Sequence, residues 1–235
     1  MKRGDLRWTP VIVLVLLLAG GVAGWLIAQR SNTPAAPRLP DLGQAPQFQG
    51  LTDQLGQSVD SSRFAGKVQV VTFLFPYCTT YCPLIAAHLA GLESALELAG
   101  LQEEVEIVAY NVDPAGSRPE QMRTFVEEYG WNPRDRHLEY LTGTPQKIRR
   151  IVTHGYHVAY EKDSGNSGGG PALTPQPEVV NPLAARAHAG YDIVHNDALE
   201  IVDPQDRIRK VYTQADVVSN QRLLKVIESL LPRSS

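Results

Sequence analysis

The chain has 235 residues, 43% of them hydrophobic, and a formal net charge of -3 with acids and bases interspersed. That is enough apolar material for one globular domain with a proper core. The charge pattern offers no basic stripe to grip a phosphate backbone, and no GxGxxG or GxxxxGK(S/T) run is present to cradle a nucleotide, which argues against nucleic acid and nucleotide partners.

Residues 11–28 carry no charge and have about the length of a bilayer-spanning helix. Lys2, Arg3 and Arg7 precede them and Asp5 offsets these only in part, so the positive-inside bias predicts a cytoplasmic N-terminus at residues 1–10. A single transmembrane anchor at 11–28 follows, and the remainder of the chain is extracytoplasmic, on the periplasmic side or its equivalent. The rival reading is a cleaved signal peptide: Gly20, Gly21 and Gly24 interrupt the apolar run, and Ala35-Ala36 offer a cleavage position. The run is longer than a usual signal core, which favours the anchor. Residues 29–47 are rich in Pro, Ala and Gln without apolar periodicity and read as a tether, so the folded domain is expected over 48–235.

Within that domain, residues 51–59 predict a short hairpin around Gly56, and 61–64 lead into a near-continuous apolar run at 67–75, the pattern of a strand buried on both faces. Pro83 opens a helix whose apolar positions Ile85, Leu89, Leu92 and Leu96 share one face, with Gly100 as its stop. Residues 105–112 form a second buried strand. Ser117 and Glu120 fit a capping box around Pro119, ahead of a helix carrying Met122, Phe125, Val126 and Tyr129.

A third strand is expected at 138–141. After it come a helix started by Thr144-Pro145 and ended by Gly155, and a short strand at 158–160. Residues 161–190 are dominated by Gly, Pro, Ser, Asn and Ala and read as an exposed insertion. Residues 191–202 and 207–212 then predict a hairpin, and 216–231 a closing helix. Alternating strands and helices closed by a hairpin and helix imply an α/β fold: a central mixed sheet flanked by helices in the thioredoxin-like order.

Only two cysteines occur, Cys78 and Cys82, just after the first buried strand. The intervening Thr79-Thr80-Tyr81 lets the pair close about one helical pitch, so both sulfurs can face one point where a helix begins. Orphan amides and the positive end of the helix dipole there favour thiolate over thiol. Two thiolates with an added imidazole suit copper or zinc. Of the six histidines, His195 lies in a strand-like context on the predicted terminal hairpin, and it is the candidate third ligand. The plain alternative is a structural disulfide, common for a cysteine pair in an exported protein. So short a loop, however, constrains the unfolded chain little.

The run PYCTTYCP (residues 76–83), the NVDP strand end (111–114) and the YDIVHN…IVDP segment (191–204) together resemble the Sco/SenC family. The resemblance spans about residues 48–231. It implies a thioredoxin-like domain anchored by one N-terminal helix, copper bound by Cys78, Cys82 and His195, and delivery to the dinuclear copper centre of cytochrome c oxidase subunit II. One departure is visible, since the family usually continues VDP with an acid and Thr-Pro, whereas this chain has Ala115-Gly116-Ser117-Arg118-Pro119.

The same two cysteines also suit a thiol-disulfide oxidoreductase, with Cys78 attacking and Cys82 resolving, that reduces the cysteines of a cuproprotein partner. Against a general reductase stands the CxxxC spacing in place of CxxC. His154 and His157 straddle Gly155 without an acidic partner and read as surface or packing residues, and His88 should point away from the cysteine loop. His188, in the insertion, is a weaker candidate for a transient ligand. Asp113 is expected to organise the turn after its strand, and Tyr81 and Pro83 to shape the cysteine loop.

Overall fold

The computed structural model describes residues 39–163, 192–195 and 197–232. The expected anchor at 11–28 lies outside them, as do His188 and most of the insertion. In chain order the strands are β1 (Gly43–Gln44), β2 (Leu51–Thr52), β3 (Ser58–Val59), β4 (Val68–Leu74), β5 (Val105–Asn111), β6 (Leu138–Leu141), β7 (Tyr160–Asp163), β8 (Asp192–His195), β9 (Leu199–Val202) and β10 (Arg207–Tyr212). The helices are α1 (Cys82–Ala99), α2 (Pro119–Glu128), α3 (Pro145–Arg149) and α4 (Asn220–Leu230).

Six strands form one mixed sheet in the order β1-β10-β9-β4-β5-β6. Strands β4 and β5 lie in the sheet interior with every one of their positions buried, and they pair in parallel from Val68↔Val105 to Leu74↔Asn111. Strand β6 extends the parallel half, while β9 and β10 run antiparallel on the other side of β4. The crossovers β4-α1-β5 and β5-α2-β6 step in one direction across the sheet, so right-handed connections put α1 and α2 on one face. On that face Phe125 of α2 packs against Tyr140 of β6, with ring centroids 6.4 Å apart. On the opposite face Phe73 and Tyr110, adjacent in register, meet Tyr156, which follows α3 and a π-helical turn at Arg150–Gly155. Helices thus flank both faces of a mixed sheet, as the element order predicts.

Helix α1 shows how the local pattern decides the packing. Ile85, Leu89, Leu92 and Leu96 are all buried, and Gly100 ends the helix at φ 69°. There the Leu101 amide reaches the Leu96 carbonyl at 2.9 Å, which satisfies an otherwise orphaned acceptor. Among the described residues α1 has the length and apolarity of a membrane-spanning helix, but its apolar stripe faces the core.

Four local expectations differ from the structure. Gly43–Gln44, within the expected tether, pair with Ile208 and Arg207, Ala45 is buried, and Arg207 Nη2 reaches Asp41 Oδ1 at 2.8 Å. An edge strand of two residues is held by backbone pairing and leaves no apolar periodicity to read. The cap of α2 is the Arg118 amide donating to Gln121 Oε1 at 2.9 Å, one residue later than the Ser117 box. The predicted 191–202 strand is broken in two: β9 pairs with β10 and β4, whereas β8 pairs with β7 in a separate two-stranded ribbon. Helix α4 begins after Ser219, whose hydroxyl accepts from the Arg222 amide, because Ala215 and Val218 are buried in the preceding turns.

Candidate metal centre

The chain leaves β4 at the C-terminal end of its parallel ladder, and Phe75 and Pro76 remain buried. The Cys78 amide donates to the Phe75 carbonyl at 3.2 Å, turning the loop back on itself. Cys82 is the first residue of α1, and Pro83 follows where a missing N–H costs nothing. The orphan amide of Cys82 then points at the Cys78 sulfur, N to Sγ 3.4 Å. Such a first-turn donor stabilises negative charge on that sulfur. Thr80 Oγ1 lies 3.5 Å from the same atom.

Both cysteine side chains are buried, at 3% and 0% exposure, whereas Tyr81 and Leu84, on either side of Cys82 in the chain, are exposed. The loop thus sets the Cys78 sulfur against the first turn of α1, with no disulfide between the two cysteines. Among the described residues no group of three His, Cys, Asp or Glu side chains is assembled.

Beside the cysteine loop runs the NVDP segment. The Val112 amide extends the β4–β5 ladder by donating to the Leu74 carbonyl at 3.0 Å. Asn111, fully buried, accepts from the Asp113 amide at 3.0 Å and donates to Ser117 Oγ at 2.9 Å and Thr142 Oγ1 at 3.2 Å. The Ser117 hydroxyl in turn donates to the Asp113 carbonyl at 2.9 Å, and Asp113 Oδ1 accepts from Gly116. Asp113 thus organises the turn as expected. Ser117, in the stretch where the chain departs from the resembled family, closes that turn, and Asn111 ties it to Thr142 just after β6.

His195 is placed by its backbone: it is the last residue of β8, opposite Tyr160 of β7, and its side chain lies outside the described part. The expectation that it sits on the terminal hairpin is corrected, since that hairpin is β9–β10. The connection still runs the right way. Antiparallel pairs Val70↔Ile201 and Thr72↔Leu199 mean that the chain enters β9 from the end of β4 at which the cysteine loop leaves. The Thr72 hydroxyl fixes that entry by donating to the Ala198 carbonyl at 3.1 Å.

Of the other described histidines, His88 Nδ1 lies 3.1 Å from the Ala215 carbonyl, His137 lies 3.6 Å from Glu103 and Glu106, and His154 and His157 are exposed. One residue that the sequence reading passes over is Tyr140. It is fully buried, its hydroxyl has no hydrogen-bond partner, and burial raises its pKa well above the ordinary tyrosine range, with charge on Cys82 and then Cys78 adding to the effect. The available signal was its position, on a strand whose positions are all buried.

A mixed sheet whose first parallel strand ends in a dithiol at a helix N-terminus defines a thioredoxin-like α/β domain. Within that class the chain belongs to the SCO1/SenC family, whose model matches residues 41–232. It is 21% identical over 183 residues to the SCO1 protein homolog of Bacillus subtilis, covering 75% of this chain and 78% of that one. Its fold is similar to BsSco, a member of the Sco family of cytochrome c oxidase assembly proteins in which a disulfide switch has been identified: TM-score 0.61, 20% identity, 82% of this chain and 97% of that one. It is also similar to copper-bound ScoI of Bradyrhizobium japonicum, with TM-score 0.59, 21% identity, and 80% and 100% of the two chains covered.

Proposed function

We propose that this protein is a membrane-anchored copper-delivery protein. In this reading Cys78 and Cys82 hold one copper ion as cargo, His195 completes the site, and the metal passes by ligand exchange to the dinuclear centre of cytochrome c oxidase subunit II. The observation that carries the reading is the buried cysteine pair at the start of α1, not joined by a disulfide, with the Cys82 amide directed at the Cys78 sulfur. Two soft thiolates and an imidazole form a donor set suited to copper, and ligand exchange needs no covalent chemistry on a substrate. Family membership adds support, as does the similar ScoI structure that holds copper. The anchor at 11–28 would keep the N-terminus in the cytoplasm and the domain outside it.

The test is copper stoichiometry on the reduced, purified full chain under anaerobic conditions. One copper per chain is expected, with none retained by the Cys78→Ser, Cys82→Ser double variant. Stoichiometric uptake by that variant would rule the proposal out.

A second reading, thiol-disulfide exchange on a cuproprotein partner, draws on the same dithiol and on the disulfide switch identified in BsSco. Reduction of a partner disulfide that is undiminished by His195→Ala would favour it over copper delivery.

A further inference from the structure

His195 lies on a strand outside the six-stranded sheet, and β8 joins that sheet through a short connection to β9. Two successive carbonyls in the connection are taken by groups from elsewhere in the fold. The Thr72 hydroxyl of β4 donates to the Ala198 carbonyl at 3.1 Å, and the Ala215 amide donates to the Asp197 carbonyl at 2.9 Å. Asp197 is two residues beyond His195. Ala215 lies between β10 and α4 and is fully buried, so its backbone groups need partners within the protein. Its amide is used on Asp197. Its carbonyl is used by His88, whose Nδ1 lies 3.1 Å away.

A carbonyl oxygen can only accept, so Nδ1 carries the proton and the ring is held there as a donor. The other ring nitrogen, Nε2, is buried with no hydrogen-bond partner. An apolar side chain would fill the same space without that cost, so the contact to Ala215 is what the histidine supplies. His88 stands on α1, six residues after Cys82, which opens the same helix. The helix that starts at one proposed copper ligand thus reaches, through Ala215, to within two residues of another.

We infer that His88 is a positioning residue for His195: it holds Ala215, Ala215 holds Asp197, and this fixes where β8 leaves the body of the domain. The inference rests on the reading of His195 as the third copper ligand. It gives a histidine that does not touch the cysteines a part in the site, because one helix carries both Cys82 and the side chain that secures the His195 connection.

The experiment uses the full chain: wild type, His88→Ala and His88→Asn, and His88→Ala combined with His195→Ala. Alanine is the best helix former and keeps α1 intact, while asparagine restores an N–H donor close to the place of Nδ1. Without metal, His88→Ala should speed amide hydrogen exchange at Ala215 about fivefold, the effect of losing one ordinary hydrogen bond. The Val112 amide, bonded to the Leu74 carbonyl in the core, should keep its rate, and His88→Asn should return Ala215 toward the wild-type rate. With copper, His88→Ala should weaken binding about tenfold, the lower end of what a supporting partner costs at a metal site, and should cost nothing further when His195 is already alanine. Unchanged exchange at Ala215 overturns the inference. Equal acceleration at Ala215 and Val112 also overturns it and leaves His88 a packing residue, as does an equal copper loss with and without His195. Failure of the wild type to bind copper, or undiminished binding by His195→Ala, overturns the ligand reading, and the exchange comparison still decides whether His88 holds the Asp197 connection.

Discussion

The two regions that carry the proposed ligands are built differently. The cysteine loop grows out of β4, a strand buried at every position, and is held by the helix start, by the β4–β5 ladder and by the Asn111 network. The strand that carries His195 belongs to a ribbon of two strands that pair only with each other among the described residues. A two-stranded ribbon alone is marginal in water, whereas a central parallel strand is secured on both sides and both faces. Under the proposed delivery reading, two donors would sit on the loop leaving the main sheet and the third on a separate two-stranded element.

The largest effect that sharpens this contrast comes from His195→Ala. It should cost copper affinity more than the roughly 10–100-fold that loss of a supporting partner costs at a metal site, with the folding midpoint unchanged. Competition with a copper chelator measures the first quantity and chemical denaturation the second. A large fall in stability would mean that the ribbon is part of the core after all.

On the cysteine side the expected response is in stability. Asn111→Ala removes the donor to the Ser117 and Thr142 hydroxyls and the acceptor for the Asp113 amide, and should cost about 3 kcal/mol by denaturant titration. A loss below about 1 kcal/mol would show that the loop does not depend on this network.

A smaller, pH-dependent effect concerns Glu200 of β9, three residues after the Asp197 carbonyl accepts from the Ala215 amide. Burial pushes its carboxyl up to about 8 from an ordinary 4.5, and one carboxyl oxygen has no hydrogen-bond partner. The folded state therefore keeps a proton that the unfolded state releases. This contribution to stability is complete below the unfolded value and is lost as pH rises toward 8, at no more than about 1.4 kcal/mol per pH unit. Glu200→Gln should flatten the decline between pH 5 and pH 8. Glu139, raised by burial to about 7, contributes to the slope of both proteins, so the difference between them isolates Glu200. Identical slopes would contradict the assignment. At the low end of the scale, His154→Ala should change neither copper affinity nor stability, because His154 is exposed and stands apart from both regions.

Much of this arrangement is legible in the sequence, and the limits of that legibility are physical. Buried strands β4 and β5 announce themselves as unbroken apolar runs, and α1 by its apolar stripe and its glycine stop, because burial selects side chains directly. The cysteine pair at the start of α1 is legible for the same reason, its spacing being local. The edge strand at Gly43–Gln44 and the split between β8 and β9 are not legible, because both depend on which backbone the chain pairs with and not on what its side chains bury. Tyr140 is hidden in a third way. Its type suits a strand, and only the tertiary structure reveals that its hydroxyl is left without a partner.

The most direct test of the three-donor site is X-ray absorption at the copper edge of the full chain loaded with one equivalent of copper. Two sulfur scatterers and one imidazole are predicted, with the imidazole contribution absent in His195→Ala. A spectrum with no imidazole contribution, or one unchanged by that substitution, would contradict the assignment of Cys78, Cys82 and His195 as the copper site.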